Sequence, residues 1–262
     1  AFRDRSRLAA VNSINWARLM AQVVYYFTAA ATLGAPHRAV SFVVPTGNFG
    51  DIFAGYVARQ MGLPIDRLVI ASNVNDILTR TLETGRYERE AVVPSSSPSM
   101  DIQVSSNFER LLFEMSGRDA DLVRTQMDTL QQSGGFTLEP AQYDGLKETF
   151  AAARADEDQT LNAIRVMYNA TGYVADPHTA VGLHAACLCR GDDSVPMITL
   201  ATAHPAKFPD AIRAATGVSP ELPETLRARL TAPERYDVLD SDQAQIAAYI
   251  AARTKDWAGL PA

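Results

Sequence analysis

VSFVVPTGNFGDIFAGYVARQMGLPIDRLVIA, residues 40–71, decides the fold. Val40 to Val44 is a short, β-branched, apolar run of the kind that forms a strand buried on both faces. A glycine-bearing loop, Pro45 to Asp51, follows at once. Ile52, Phe53, Tyr56 and Val57 then recur at helical spacing until Gly62 and Pro64 stop the pattern, and Arg67 to Ala71 is a second buried strand. Strand, loop, helix and strand within 32 residues make one βαβ unit. The predicted class is α/β, an open, mostly parallel sheet flanked by helices.

Upstream, Trp16, Leu19, Met20, Val23, Val24 and Phe27 fall at three-and-four spacing, which predicts a helix with one buried stripe, Ser13 at its N-cap and Asn15, Arg18 and Gln22 on another side. Downstream, the chain reads as helical from Asn73 to about Thr84. Pro94 to Ser99 is a loop, and a helix-rich stretch begins at Asn107. Residues 117–157 are more charged and broken by Gly134 and Gly135, as an inserted helical subdomain would be. Asn162 to Tyr168 is helical, Asp176 caps a helix with Pro177 in its first turn that ends near Arg190, and Met197 to Thr202 is a third strand. These features divide the chain into a βαβ segment with its leading helix (1–98), a helical insertion (99–158), a returning α/β segment (159–217) and a helical tail (218–262).

Composition narrows the function. The 262 residues carry 24 Lys and Arg against 30 Asp and Glu, a formal charge of −6. Nucleic acid and anionic membrane are therefore not expected partners, and an anion must be held by local geometry. The only lysines are Lys147, Lys207 and Lys255, so a reactive amine has few candidates. Cys187 and Cys189 have no second pair to complete a zinc set, the four histidines show no metal spacing, and a reducing cytoplasm fits. The apolar run from Met20 to Leu33 falls short of a membrane span. Ala1 opens a charged run without a methionine, and the chain is expected to be a piece of a longer protein.

Three places can carry chemistry. The glycine loop, Gly47, Asn48, Phe49, Gly50 and Asp51, points backbone amides outward at a helix N-terminus and can bind a phosphate without lysine; it lacks the dinucleotide and Walker spacings and also reads as a tight structural turn. Asn12, Ser13 and Arg18 form either an oxyanion cup or an N-cap beside a solvated arginine. Thr202, at a strand's carboxyl end, either faces the ligand crevice of an open sheet or is a turn hydroxyl. His204 and Lys207 lack a third orienting group, and His178 reads as helix first-turn chemistry.

Asn12-Ser13-Ile14-Asn15-Trp16-Ala17-Arg18, Val44-Pro45-Thr46-Gly47-Asn48-Phe49-Gly50-Asp51, Ala71-Ser72-Asn73-Val74-Asn75-Asp76, Ser99-Met100-Asp101-Ile102 and Thr202-Ala203-His204-Pro205-Ala206-Lys207-Phe208, in this order, resemble the threonine synthase family over roughly Arg7 to Gly217. The resemblance is to that enzyme's carboxyl-terminal portion. It implies a pyridoxal 5′-phosphate enzyme of the tryptophan-synthase-like fold (fold type II) that converts O-phosphohomoserine and water to threonine and phosphate. Gly47 to Asp51 would cradle the cofactor phosphate, and Thr202 would meet the pyridine nitrogen. Asn12, Ser13 and Arg18 match the substrate-phosphate motif, and Asn73, Asn75 and Asp76 would line the same crevice. In the family a lysine amine moves the α- and β-protons, phosphate leaves the γ carbon and water adds at the β carbon.

The family's Schiff-base lysine and its substrate-carboxylate loop lie in an amino-terminal region absent from these 262 residues, and Lys207 occurs in the family alongside that lysine. The resemblance thus implies no catalytic residue in this chain, which alone would be inactive, and makes the missing amino-terminal part its partner. Two other readings are a threonine dehydratase or cysteine-synthase-like enzyme of the same cofactor class, and a non-catalytic phosphate-ligand-binding remnant.

Overall fold

The computed structural model describes residues 2, 6, 8, 9, 12–227, 229 and 232–254. Residues 12–221 form one compact unit, and the flanking residues form another. Strands β1 (Val40–Pro45), β2 (Ile65–Ser72), β5 (Phe150–Arg154) and β6 (Met197–Thr199) make a four-stranded sheet in the order β5-β2-β1-β6. All of its pairings are parallel, with Val43 beside Val69 and Thr199, and Ile70 beside Ala152. A separate antiparallel pair joins β3 (Arg86–Glu88) to β4 (Gly135–Thr137).

Side chains alternate across β1, which explains the two-sided core. Phe42 and Val44 pack with Tyr26, Ile52, Leu68 and Ile70 on one face. Val43 packs with Val69, Ala71, Ala153, Val181 and Ala185 on the other. The first face is covered by α1 (Trp16–Thr32) and α2 (Gly50–Gln60), and the second by the helix Pro177–Cys189, whose N-cap Asp176 accepts from the His178 amide. Every residue of β1 is buried, in keeping with an unbroken apolar run in the middle of a parallel sheet.

Four details differ from the sequence reading. The N-cap of α1 is Asn15, whose side chain accepts from the Ala17 amide, and not Ser13. The same helix buries Leu19, Tyr26 and Ala30 and leaves Trp16, Met20 and Val24 exposed. This segment is apolar on more than one face, so periodicity alone does not select the face that meets α2. Phe150–Arg154, placed by sequence within the helical insertion, is an edge strand of the main sheet, because its alanines add to β2 beyond the helix Pro140–Thr149. The third strand ends at Thr199, with one further ladder bond from the Leu200 amide to Val43, so Thr202 lies in the segment after it.

In the unit formed with the residues from 222 onward, the described elements are two helices, Glu224–Arg227 and Gln243–Arg253, the second capped by Asp242. Among the described residues no helix is long and apolar enough to cross a membrane.

Candidate active site

The loop after β1 is shaped from both ends. Thr46 donates from its amide to the Ala71 carbonyl at 2.8 Å and from its hydroxyl to the Val44 carbonyl at 2.6 Å, which fixes the departure from the sheet. Phe49 then adopts a left-handed backbone, φ 61°. A bulky residue is held there only by strong surroundings, and the buried Phe49 ring supplies them by packing 5.4 Å from Phe108 and 5.7 Å from Phe150, centroid to centroid.

The loop's carbonyls are turned into the protein. Gly47 O accepts from the Ser105 hydroxyl at 2.6 Å, while Asn48 O accepts from the amide and side chain of Asn107 at 3.0 and 2.9 Å. Its amides are not: among the described residues, the N–H groups of Gly47, Asn48, Phe49, Gly50, Asp51 and Ile52 have no acceptor. Six successive unpaired donors at the start of an eleven-residue helix are able to receive an anion. Gly47 is required by close approach, since a Cβ there would sit 2.5 Å from the Ser99 carbonyl oxygen.

A cleft of about 620 Å³ opens over this loop. It brings together Gly47 to Asp51, Ser13, Arg18 and Thr202 of the expected residues, and adds Ser99, Met100, His178 and Lys207. The Arg18 guanidinium has no carboxylate partner and the Thr202 hydroxyl no hydrogen bond among the described residues. Both are free to meet a ligand. Asn12 is exposed, caps the Ile14 amide at 3.1 Å and does not line the cleft.

Asn73, Asn75 and Asp76 do not line it either. They are buried because their side chains are used within the protein. Asn73 Nδ2 donates to Ser95 Oγ and to Asp101 Oδ1, each at 2.8 Å. Asn75 donates to the Val93 carbonyl and accepts from the Val93 amide, both at 2.8 Å. Asp76 pairs with Arg80 at 2.9 Å and Arg154 at 3.0 Å. Asn73 and Asn75 thereby fix the 93–101 segment, whose Ser99 carbonyl stands against Gly47. The two asparagines hold that segment behind the 47–52 loop.

His178 completes that arrangement. It is buried, and its Nε2 accepts from the Ser99 amide at 3.2 Å, which places the ring hydrogen on Nδ1, 2.9 Å from Asp176. Burial alone would raise the Asp176 pKa, but hydrogen bonds from His178 and Thr179 outweigh it and hold the carboxyl below its ordinary value. Asp51 behaves in the opposite way. Burial pushes it up to about 6, although a hydrogen bond from Tyr26 lowers it in part. The sequence placed His178 in the first turn of its helix, where it bonds the capping Asp176, but assigned no role to Tyr26 or Asn107; the signal for Ser99 and Met100 was their motif.

The family model "Threonine synthase, C-terminal" matches residues 179–250. A curated threonine synthase of Pseudomonas aeruginosa is 50% identical over 95% of this chain and 53% of its own length. The chain resembles the carboxyl-terminal portion of threonine synthases. The Corynebacterium glutamicum threonine synthase is 44% identical over 95% of the chain and 53% of its own length. The crystal structure of a pyridoxal-phosphate-bound threonine synthase from Brucella melitensis superposes with a TM-score of 0.92 at 54% identity, over 97% of this chain and 55% of that one. The yeast threonine synthase superposes at 0.83 with 39% identity, over 96% and 54%. The α/β fold is therefore that of fold type II enzymes, and the chain spans about half the length of the curated threonine synthases it matches.

Proposed function

We propose that this chain is the phosphate-binding part of a threonine synthase, a pyridoxal 5′-phosphate lyase that converts O-phosphohomoserine and water to threonine and phosphate. The observation that carries the reading is one cleft holding two separate anion devices, the unpaired amides of 47–52 and the unpaired Arg18 beside Ser13.

The residues present fit the cofactor. The amide row suits its phosphate, and the Gly47 approach to Ser99 leaves no room for a side chain that would fill the seat. Bound there, pyridoxal phosphate supplies an electron sink for carbanion chemistry. Thr202 would meet the ring nitrogen with a neutral hydroxyl, which, unlike a carboxylate, does not hold that nitrogen protonated. Arg18 would fork onto the substrate phosphate and Ser13 would donate beside it, gripping the group that leaves. The amine that moves protons is proposed to come from the parent's remaining portion, so the chain alone is inactive and works in the cytoplasm as part of the longer protein.

In the parent protein, Arg18→Ala raises KM for O-phosphohomoserine about 10- to 150-fold, a charge-assisted contact being worth roughly 1.5–3 kcal/mol. Affinity for pyridoxal phosphate changes less than threefold. Equal loss of both would remove Arg18 from the substrate side.

A further inference from the structure

Asp51 stands in the first turn of α2 and lines the cleft, yet its surroundings on the protein side belong to Tyr26. The Tyr26 ring is fully buried in α1 and crosses beneath α2 at Gly55, where a Cβ would come within 2.6 Å of the ring. This passage puts the Tyr26 hydroxyl 2.8 Å from the Asp51 carbonyl oxygen and 3.3 Å from Asp51 Oδ1. The hydroxyl has one hydrogen to give and faces two oxygens. With an ionised carboxylate, one contact is left as oxygen against oxygen or the hydrogen is shared. With a protonated carboxyl both close: Tyr26 donates to the carbonyl and accepts from the carboxyl. A phosphate on the neighbouring amides adds like charge, which favours the neutral form further.

We propose that Asp51 serves the anion seat as a neutral carboxyl group braced by Tyr26, so that seating a phosphate ester in the 47–52 loop takes up a proton. Tyr26 and Gly55 are positioning residues: they hold the first turn of α2 through Asp51 and touch no ligand. Burial of Asp51, which already lifts its pKa to about 6, acts in the same direction. The other titratable or charged groups facing the cleft are Arg18 and Tyr25 on α1, His178 on the opposite face of the sheet and Lys207 beyond β6. All four are common to the wild type and an Asp51→Asn variant, so the difference between those two proteins isolates Asp51.

The inference rests on the loop being a phosphate seat. Its test uses the full-length parent protein freed of cofactor, with pyridoxine 5′-phosphate as probe because this alcohol forms no covalent bond to an amine. Calorimetry at pH 7.5 in buffers of different ionisation enthalpy reads proton uptake on binding. The wild type takes up nearly one proton more than Asp51→Asn, and its affinity falls as pH rises from 6 to 8.5 more steeply than the variant's. Asp51→Asn, neutral at every pH, binds at pH 8.5 at least as tightly as the wild type. Tyr26→Phe, which keeps the ring under α2, moves the wild-type pH profile by half a unit or more; a merely structural tyrosine would lower Tm and leave that profile in place. Equal proton uptake by wild type and Asp51→Asn, or tenfold weaker binding by the variant across the whole range, overturns the neutral-carboxyl assignment while the seat stands. No binding by the wild type overturns the seat itself.

Discussion

Two neighbouring strands, β1 and β2, run parallel and end in polar turns of similar length, and the turns do opposite things. After β1, the 47–52 loop hides its carbonyls and leaves its amides open to the cleft. After β2, the asparagine-rich 73–76 turn spends its side chains on Ser95, Val93, Asp101 and Arg154 and does not line the cleft. Both turns belong to motifs that resemble one family, so motif membership alone does not separate a binding residue from one that holds the binding residue in place. Hydrogen-bond accounting separates them: a ligand-facing loop is left with unpaired donors, and a supporting one is closed.

The largest expected effect is on the open loop. Gly47→Ala forces a methyl group against the Ser99 carbonyl and weakens pyridoxal phosphate binding by the parent about 100-fold, the equivalent of roughly 3 kcal/mol at the upper range for overpacking. Absorbance titration of the apo protein reads it. Unaltered affinity would mean that the loop's shape is not what holds the phosphate.

A smaller effect of a different kind is expected on the closed turn. Asn73→Leu removes one donor from the Asp101 carboxylate and one from the Ser97 hydroxyl, destabilising the fold by about 2 kcal/mol and lowering Tm by roughly 4–8 °C. Cofactor affinity falls less than tenfold. An unchanged Tm with abolished binding would move Asn73 into the site and break the comparison.

The smallest effect sharpens the contrast through pH. The folded pKa of Asp51, about 6, lies above the ordinary carboxylate value, so its neutral form is favoured by folding. Its stability contribution is complete below about pH 4 and is lost as pH rises through 6. Asp51→Asn therefore matches the wild type in denaturant stability at pH 4 and exceeds it at pH 8 by about 1–3 kcal/mol, the upper figure being the full rise to about 6 and the lower allowing for the carboxyl's partial exposure to solvent. The reverse order at pH 8 would show that the ionised carboxylate stabilises the helix start.

The sheet's centre was legible because β1 and β2 are apolar on both faces and are bounded by glycine and proline. The edge strand Phe150–Arg154 was not, because three consecutive alanines favour helix and only pairing with β2 overrides them. In the cleft, the glycine loop, Ser13, Arg18 and Thr202 were read correctly as neighbours, since loops beyond strand ends converge in an open sheet. Asn73, Asn75 and Asp76 lie outside that lining, because an asparagine side chain gives the same sequence signal whether it points at a cleft or at its own protein. The Tyr26 brace was invisible for another reason. It joins residues 25 positions apart through a packing gap at Gly55, and no local pattern marks such a gap.

The central claim is that this chain seats the cofactor's phosphate while another part of the parent holds its aldehyde. The direct measurement is intact mass and peptide mapping of the purified parent after incubation with pyridoxal phosphate and borohydride reduction. The account predicts one pyridoxyl group, on a lysine outside residues 1–262. A pyridoxyl group on Lys207, the one lysine among the residues lining the cleft, or no adduct at all, would contradict it.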